Sequence, residues 1–216
     1  MHIFAFSRPR SCHEDHLLKS HHELRARVFS ERLGWDVAVV DGCEADVFDT
    51  YDPTYILAVS SNGQIAGCAR LLPANGPTMV GDVFSSLLPT GHLQTHFNMI
   101  ESSRFCVDTT LKEGRGEGSV HEATLTMFAG ILEWSITNGI TEIVTVTDLR
   151  FERILARVGW PLRRLGEPKQ IGVTKAVAGT LSADAATFTK LRPQNYSSTI
   201  SSRANRQDDR HQAGRR

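Results

Sequence analysis

The chain has 216 residues, with 24 Lys and Arg against 24 Asp and Glu and a 40% hydrophobic fraction. That is enough apolar material for one good core, and a formal net charge of zero removes any global argument for nucleic-acid binding. No apolar run approaches the ~20 residues that cross a bilayer, Met1-His2-Ile3-Phe4-Ala5-Phe6-Ser7 lacks the pattern of a secretory leader, and Cys12, Cys43, Cys68 and Cys106 have no C-x-x-C spacing for zinc or a redox dithiol. The expectation is a cytoplasmic protein with reduced, structural thiols, no metal and no membrane partner.

Alternating apolar residues from His2 to Phe6 predict a first strand, ended by Pro9. A helix is predicted from about Glu14 to Leu33, with Leu17, Leu24, Val28 and Phe29 as its apolar stripe, Arg25, Arg27 and Arg32 among them, and Gly34 as its stop. His21-His22 are expected on its surface. Trp35 to Pro53 holds Asp41, Glu44, Asp46, Asp49 and Asp52 with little periodicity and reads as an acidic loop or short broken helix, where Trp35 needs something to pack on. Two apolar runs around Asn62-Gly63, Tyr55 to Ser60 and Gln64 to Leu72, predict a hairpin. Its second strand carries a lone Arg70, a cation that demands an anionic partner once desolvated.

Asp82 to Leu88 is expected to form a short helix capped by Asp82, with Phe84, Leu87 and Leu88 inward. His92 and His96 have no third ligand nearby and are read as loop residues. Met99 to Asp108 has the β-branched and apolar content of a strand yet carries Glu101, Ser102, Ser103 and Arg104 in succession. Strict alternation puts Glu101 and Ser103 on one face, roughly 6.6 Å apart, and Ser102 and Arg104 on the other. A carboxylate near a hydroxyl without a strong nucleophile suits deprotonation of an amine or a water. Lys112 to Gly118 is glycine-rich without Walker or Rossmann spacing and reads as a connection, followed by a capping box at Ser119-Val120-His121-Glu122 and a helix ending at Gly139.

Glu142 to Asp148 predicts a strand, Arg150 to Val158 a short helix before Gly159-Trp160-Pro161, and Ile171 to Leu181 a last strand. Arg150, Arg153, Arg157, Arg163, Arg164 and Lys169 face few acids, which suits an acidic protein or a phosphate-bearing ligand. Residues 1–182 are expected to form one domain, and 183–216 a polar tail, disordered beyond about Arg192. The element order implies an α/β fold, a three-layer sandwich with one mixed sheet and helices on both faces.

One set of segments resembles the acyl-homoserine lactone synthases, the autoinducer synthases of bacterial quorum sensing. It comprises Arg25-x-x-x-Phe29, Leu33-Gly34-Trp35-Asp36-Val37, Asp46-x-x-Asp49, Gly67 to Pro73, Pro77-Thr78-Met79, Phe84, Glu101-Ser102-Ser103-Arg104-Phe105 and Val144-Thr145-Val146-Thr147, across roughly Arg25 to Ala178. The resemblance implies an N-acyltransferase-like twisted sheet with a V-shaped cleft between central strands. It also implies a reaction of S-adenosylmethionine, as substrate and not cofactor, with an acyl group on acyl carrier protein. On that reading Glu101 is the base, Ser103 and Arg104 order the site, and Arg25, Phe29, Trp35, Asp46, Asp49 and Arg70 bind S-adenosylmethionine. Phe84, Phe105, Thr145 and Thr147 then line the acyl pocket, Thr145 or Thr147 favouring a 3-oxo chain, and Arg150, Arg153, Arg157 and Lys169 dock the carrier protein. Two alternatives stay open: an acyl-coenzyme A transferase to another amine, with the Gly114 to Gly118 loop on pyrophosphate, or a non-catalytic acyl or nucleoside binder.

Overall fold

The computed structural model describes residues 1–111, 113 and 120–200. The strands are β1 (His2–Phe6), β2 (Val39–Val40), β3 (Cys43–Glu44), β4 (Thr54–Val59), β5 (Ile65–Pro73), β6 (Met99–Val107), β7 (Glu142–Asp148), β8 (Arg163–Arg164), β9 (Lys169–Ile171), β10 (Thr174–Ser182) and β11 (Ser197–Ser198). Five α-helices join them: α1 (Cys12–Arg25), α2 (Met79–Asp82), α3 (Glu122–Thr137), α4 (Leu149–Val158) and α5 (Ala185–Leu191). The main sheet runs β11-β1-β4-β5-β6-β7-β10-β8, with β9 also on β10, and β2-β3 form a separate small hairpin. The sheet is antiparallel except where β1 meets β11 and β6 meets β7.

Each face of the sheet buries its own apolar layer. On one side Leu17, Leu24, Val28 and Phe29 pack over Leu57, Cys68 and Cys106. On the other, Met127, Phe128 and Ile131 of α3 and Leu155 of α4 pack over Ile3, Ile56 and Ile143. α3 lies very close to the strands: a Cβ on Gly130 would sit 3.0 Å from Ile3 Cδ1 and Ile56 Cγ2. The predicted hairpin forms as β4 and β5, with Gly63 at φ +83° in the turn, the conformation a glycine adopts without a Cβ clash.

The predicted first helix is continuous to Arg32, but beyond Arg25 it widens into a π-helical stretch, Ala26–Arg32. That wider turn ends with Trp35 N–H donating to the Phe29 carbonyl at 2.8 Å, which brings Trp35 back onto Phe29. Thr78, not Asp82, caps the short helix: its hydroxyl accepts from Gly81 N–H at 3.1 Å, and Asp82 ends α2. His21 is buried rather than exposed, its ring tilted against Tyr55 with centroids 4.5 Å apart, and His22 is half-buried with Nδ1 2.7 Å from the Glu44 carbonyl oxygen. The last long strand starts at Thr174 and not Ile171. The capping box at Ser119 and the Gly114 to Gly118 loop lie outside the described residues; His121 is the residue that caps α3.

Between 183 and 200 the chain is ordered and not a disordered tail, while 201–216 lie outside the described residues. α5 buries Leu191, Tyr196 donates to Glu133 Oε2 at 2.6 Å, β11 pairs with His2 and Ile3, and Ile200 is buried in the α3-side core. A polar composition hid a strand whose ladder partner is the first strand of the chain. Among the described residues no helix is long and apolar enough to cross a membrane. Ile200→Asp places a charge in that core and is expected to lower the melting temperature by several degrees, about 2 kcal/mol or more, in a thermal melt against the unaltered chain.

Candidate functional site

β6 and β7 pair in parallel through only three positions, Met99–Glu142, Ile100–Ile143 and Glu101–Val144. β6 continues to Val107 on β5 and β7 to Asp148 on β10 without further pairing to each other, so a V-shaped split opens immediately past Glu101. Across it Thr145 Oγ1 donates to the Ser102 carbonyl at 2.8 Å. The expected cleft is therefore present, with Glu101 at its apex.

The alternation argument fails at one residue. Arg104 adopts φ +52°, and the β5–β6 register jumps so that Cys68 faces Cys106 while Arg70 faces Ser103. Three steps on β6 oppose two on β5, which is a β-bulge, and an inserted residue reverses the facing of everything beyond it. Arg104 thus joins Glu101 and Ser103 on the α1 face, and Phe105 turns to the α3 face. The partners of Arg104 there are carboxylates of the acidic segment, Glu44 and Asp46.

That face carries three arginines against three carboxylates. Arg25 Nε reaches Glu44 Oε2 at 2.5 Å, and its two terminal nitrogens grip Asp49 at 2.8 and 2.9 Å. Arg70 holds Asp46 at 2.5 and 3.2 Å, approaches Asp49 at 3.1 Å and donates through Nε to Ser103 Oγ at 3.2 Å. Arg104 spans Glu44 at 3.0 Å and Asp46 at 2.8 Å and contacts Met79 Sδ at 3.4 Å. Arg25 and Arg70 are 1% and 0% exposed, so pairing is obligatory. The acidic loop is shaped to deliver these acids: Asp46 caps the 3₁₀ turn Val47–Thr50 by accepting from Phe48 N–H at 2.9 Å, and Asp49 Oδ2 accepts from Asp46 N–H at 2.9 Å. Burial alone would raise the Asp49 carboxyl, but the bidentate Arg25 outweighs it and holds that carboxyl far below the usual carboxylate range. Tyr55 donates to Asp49 Oδ1 at 2.9 Å, and burial beside that anion pushes its phenol up.

Asp46 and Asp49 were expected to meet a ligand's cations; the structure spends both on arginines, leaving Asp46, at 19% side-chain exposure, as the more open of the two. Glu44, fully buried between Arg25 and Arg104, is the site residue that sequence reasoning missed. It lay in an acidic run that reads as solvated, and a count of buried arginines needing anions was the available signal. Trp35 stacks on Phe29 with centroids 5.1 Å apart, and Arg104 lies over the other aromatic, Phe29, at 5.6 Å.

Glu101 stands outside this balance. It is completely buried, Oε2 accepts from Val80 N–H at 2.7 Å, and Oε1 has no partner among the described residues. Burial pushes its carboxyl up, against the Val80 and Met79 amides and the Ser103 hydroxyl, which pull it down. A buried carboxylate with one free oxygen at the apex of a cleft is the arrangement of a general base.

On the opposite face Ser102, Phe105, Phe128, Thr145, Phe151 and Trp160 line a narrow apolar cavity. Phe105 and Thr145, expected in one pocket, both line this cavity. Phe84 does not: it packs beside Phe48, Leu72 and Met79 on the other face. Thr147 follows Thr145 two residues on along β7, half-buried. Arg150, Arg153 and Arg157 are exposed on α4, whereas Lys169 lies on β9 and donates to the Ser86 carbonyl. Arg163 and Arg164 are committed to Glu142 and Glu152. Among the described residues no group of three or more potential ligands could hold a metal.

Removing Asp49's charge leaves Arg25 and Arg70 short of an anion in a dry site, so Asp49→Asn is expected to cost about 3–5 kcal/mol. Because the folded-state carboxyl is depressed, its stabilisation is present above the ordinary carboxylate range and disappears as pH falls below it. Thermal melts from pH 3 to 8 are expected to show a smaller pH dependence in the variant than in the unaltered chain.

The autoinducer synthase family profile matches residues 10–191. A probable acyl-homoserine-lactone synthase of Sinorhizobium fredii is 71% identical over 200 residues, spanning 93% of this chain and 96% of that one. TofI, solved in a ternary complex with an inhibitor and MTA, superposes with a TM-score of 0.74 at 30% identity, covering 88% and 96% of the two chains. BjaI, a CoA-dependent acyl-homoserine lactone synthase solved with SAM and isopentyl-CoA, gives a TM-score of 0.77 at 25% identity over 94% and 98%. The chain belongs to the autoinducer synthases and is an acyltransferase, an acyl-homoserine-lactone synthase.

Proposed function

We propose that this enzyme joins S-adenosylmethionine to an acyl group carried on acyl carrier protein and releases methylthioadenosine. The observation that carries the reading is Glu101 at the apex of the β6–β7 split, its free oxygen buried on one face and an apolar cavity on the other. The MTA in TofI and the SAM in BjaI support the nucleophile.

The chemistry runs in two steps. Glu101, directly or through water, takes a proton from the α-ammonium; the amine nitrogen then attacks the thioester carbonyl carbon. Negative charge moves onto the carbonyl oxygen, a role that backbone N–H groups without a β6–β7 ladder partner along the split would suit. Collapse breaks the C–S bond, the thiol departs with a proton, and the amide remains. The substrate's own carboxylate oxygen next attacks its γ-carbon, the bond to the sulfonium breaks with its electron pair on sulfur, and neutral methylthioadenosine leaves as the lactone closes. Asp46's open edge and the Trp35–Phe29 faces suit the sulfonium before that step.

For the acyl donor, the exposed Arg150, Arg153 and Arg157 suit an acidic carrier protein, working in the cytoplasm where its acyl thioesters are made. BjaI's use of CoA makes the donor the discriminating measurement. Methylthioadenosine formation is expected with acyl carrier protein thioesters in preference to acyl-CoA; equal or better use of acyl-CoA would overturn the carrier assignment.

Glu101→Gln is expected to lower kcat by about 10²–10⁴-fold and remove the acid limb of the pH–rate profile. Its raised carboxyl means the buried charge opposes folding above the ordinary carboxylate range and not below it, so the variant is expected to melt at or above the unaltered chain at pH 7. Reversing Arg150, Arg153 and Arg157 together to Glu is expected to raise KM for the carrier-bound donor and abolish the salt dependence of that KM, with little change for S-adenosylmethionine.

A further inference from the structure

Gly159-Trp160-Pro161 has no place in the chemistry above, yet its geometry is specific. Gly159 ends α4 at φ +81°, with its N–H bonded to the Ala156 and Leu155 carbonyls, so the chain reverses there. The reversal sends Trp160 inward to 2% exposure, where the indole Nε1–H donates to the Ser182 carbonyl at 2.8 Å. The ring packs edge-on against Phe128 at 5.3 Å and lines the same cavity as Ser102 and Thr145.

Register locates the two ends of that cavity. Thr145 and Ser102 stand at the split, which is its mouth. Ser182 pairs with Glu142, three residues back along β7 from Thr145, so the indole is anchored ~10 Å below the mouth at ~3.3 Å per residue. Between them lie Phe105, Phe128 and Phe151, whose ring centroids stand 5.0 to 5.8 Å apart, so the rings pack against one another and leave a cavity of only about 30 Å³. An extended chain advances ~1.2 Å per bond, so a chain that parted these rings would meet the indole after ~10 Å, on the order of eight carbons. A tryptophan held by packing and a hydrogen bond cannot swing aside as a free aliphatic side chain would.

We infer that Trp160 is the floor of the acyl site and sets the upper limit of chain length for this enzyme. The inference rests on the acyl-transfer reading above. It concerns which acyl donor is turned over, not how.

The test uses the full chain with S-adenosylmethionine and carrier-protein thioesters from six to fourteen carbons, lactones being quantified by mass spectrometry. The unaltered chain is expected to prefer medium-length donors. Trp160→Leu is expected to raise kcat/KM for donors two to four carbons longer, relative to the unaltered chain's best donor, by about tenfold or more. Trp160→Phe keeps a ring in the core and loses the anchoring hydrogen bond; it is expected to shift the preference in the same direction by less. A merely structural tryptophan would lower all donors in parallel, so an unchanged length ratio in either folded variant overturns the inference. Absence of lactone from the unaltered chain with every donor would instead overturn the proposed reaction.

Discussion

Three guanidinium groups taken out of water against three carboxylates are the constraint on which the site depends. Each charge would be costly alone, and each arginine touches at least two anionic or polar partners from a different part of the chain. Arg25 comes from α1, Arg70 from β5 and Arg104 from β6, while all three acids come from one short stretch, Glu44 to Asp49, that begins at the end of β3. The network therefore fixes the position of a segment that has almost no regular structure of its own. It also reaches Glu101 indirectly: Arg104 contacts Met79, the first residue of α2, and the next amide in that helix, Val80 N–H, holds the Glu101 carboxylate.

The bulge at Arg104 is what makes the network possible. A regular strand would present Glu101 and Ser103 to the acids and turn Arg104 to the opposite face, among Phe105's present neighbours. Inserting one residue at positive φ costs about 1–3 kcal/mol for a non-glycine, and two ion pairs at 2.8 and 3.0 Å oppose that cost. The same insertion turns Phe105 into the aromatic cluster of the other face, so one local irregularity serves both sides of the sheet.

Much of this was legible in the residues. The hairpin, the order of strands and helices, the demand of Arg70 for an anion and the misplaced polarity of Glu101 to Arg104 all follow from periodicity and burial cost, and the motif resemblance supplied the cleft. What was not legible depended on contacts distant in sequence. A bulge leaves no mark in composition, so alternation put Arg104 on the wrong face. Glu44 and His21 look like surface residues until Arg25 and Tyr55 are placed beside them. The final strand is polar because its ladder bonds are made by backbone, which composition does not encode.

The three residue pairs between β6 and β7 have an architectural consequence. They make the sheet two half-sheets sharing a short seam. One half, with β5 and β6 beside α1, holds the ionic network; the other, with β7 and β10 beside α4, supplies most of the apolar slot. The two halves also meet at the bulge, where Arg104 joins the ionic network and Phe105 the aromatic cluster, while Arg25 and Trp160 sit on opposite faces of the sheet. Most of the residues around the ionic network and most of those around the apolar cavity therefore belong to different halves, and the bulge at Arg104 is where a change on one side is passed to the other.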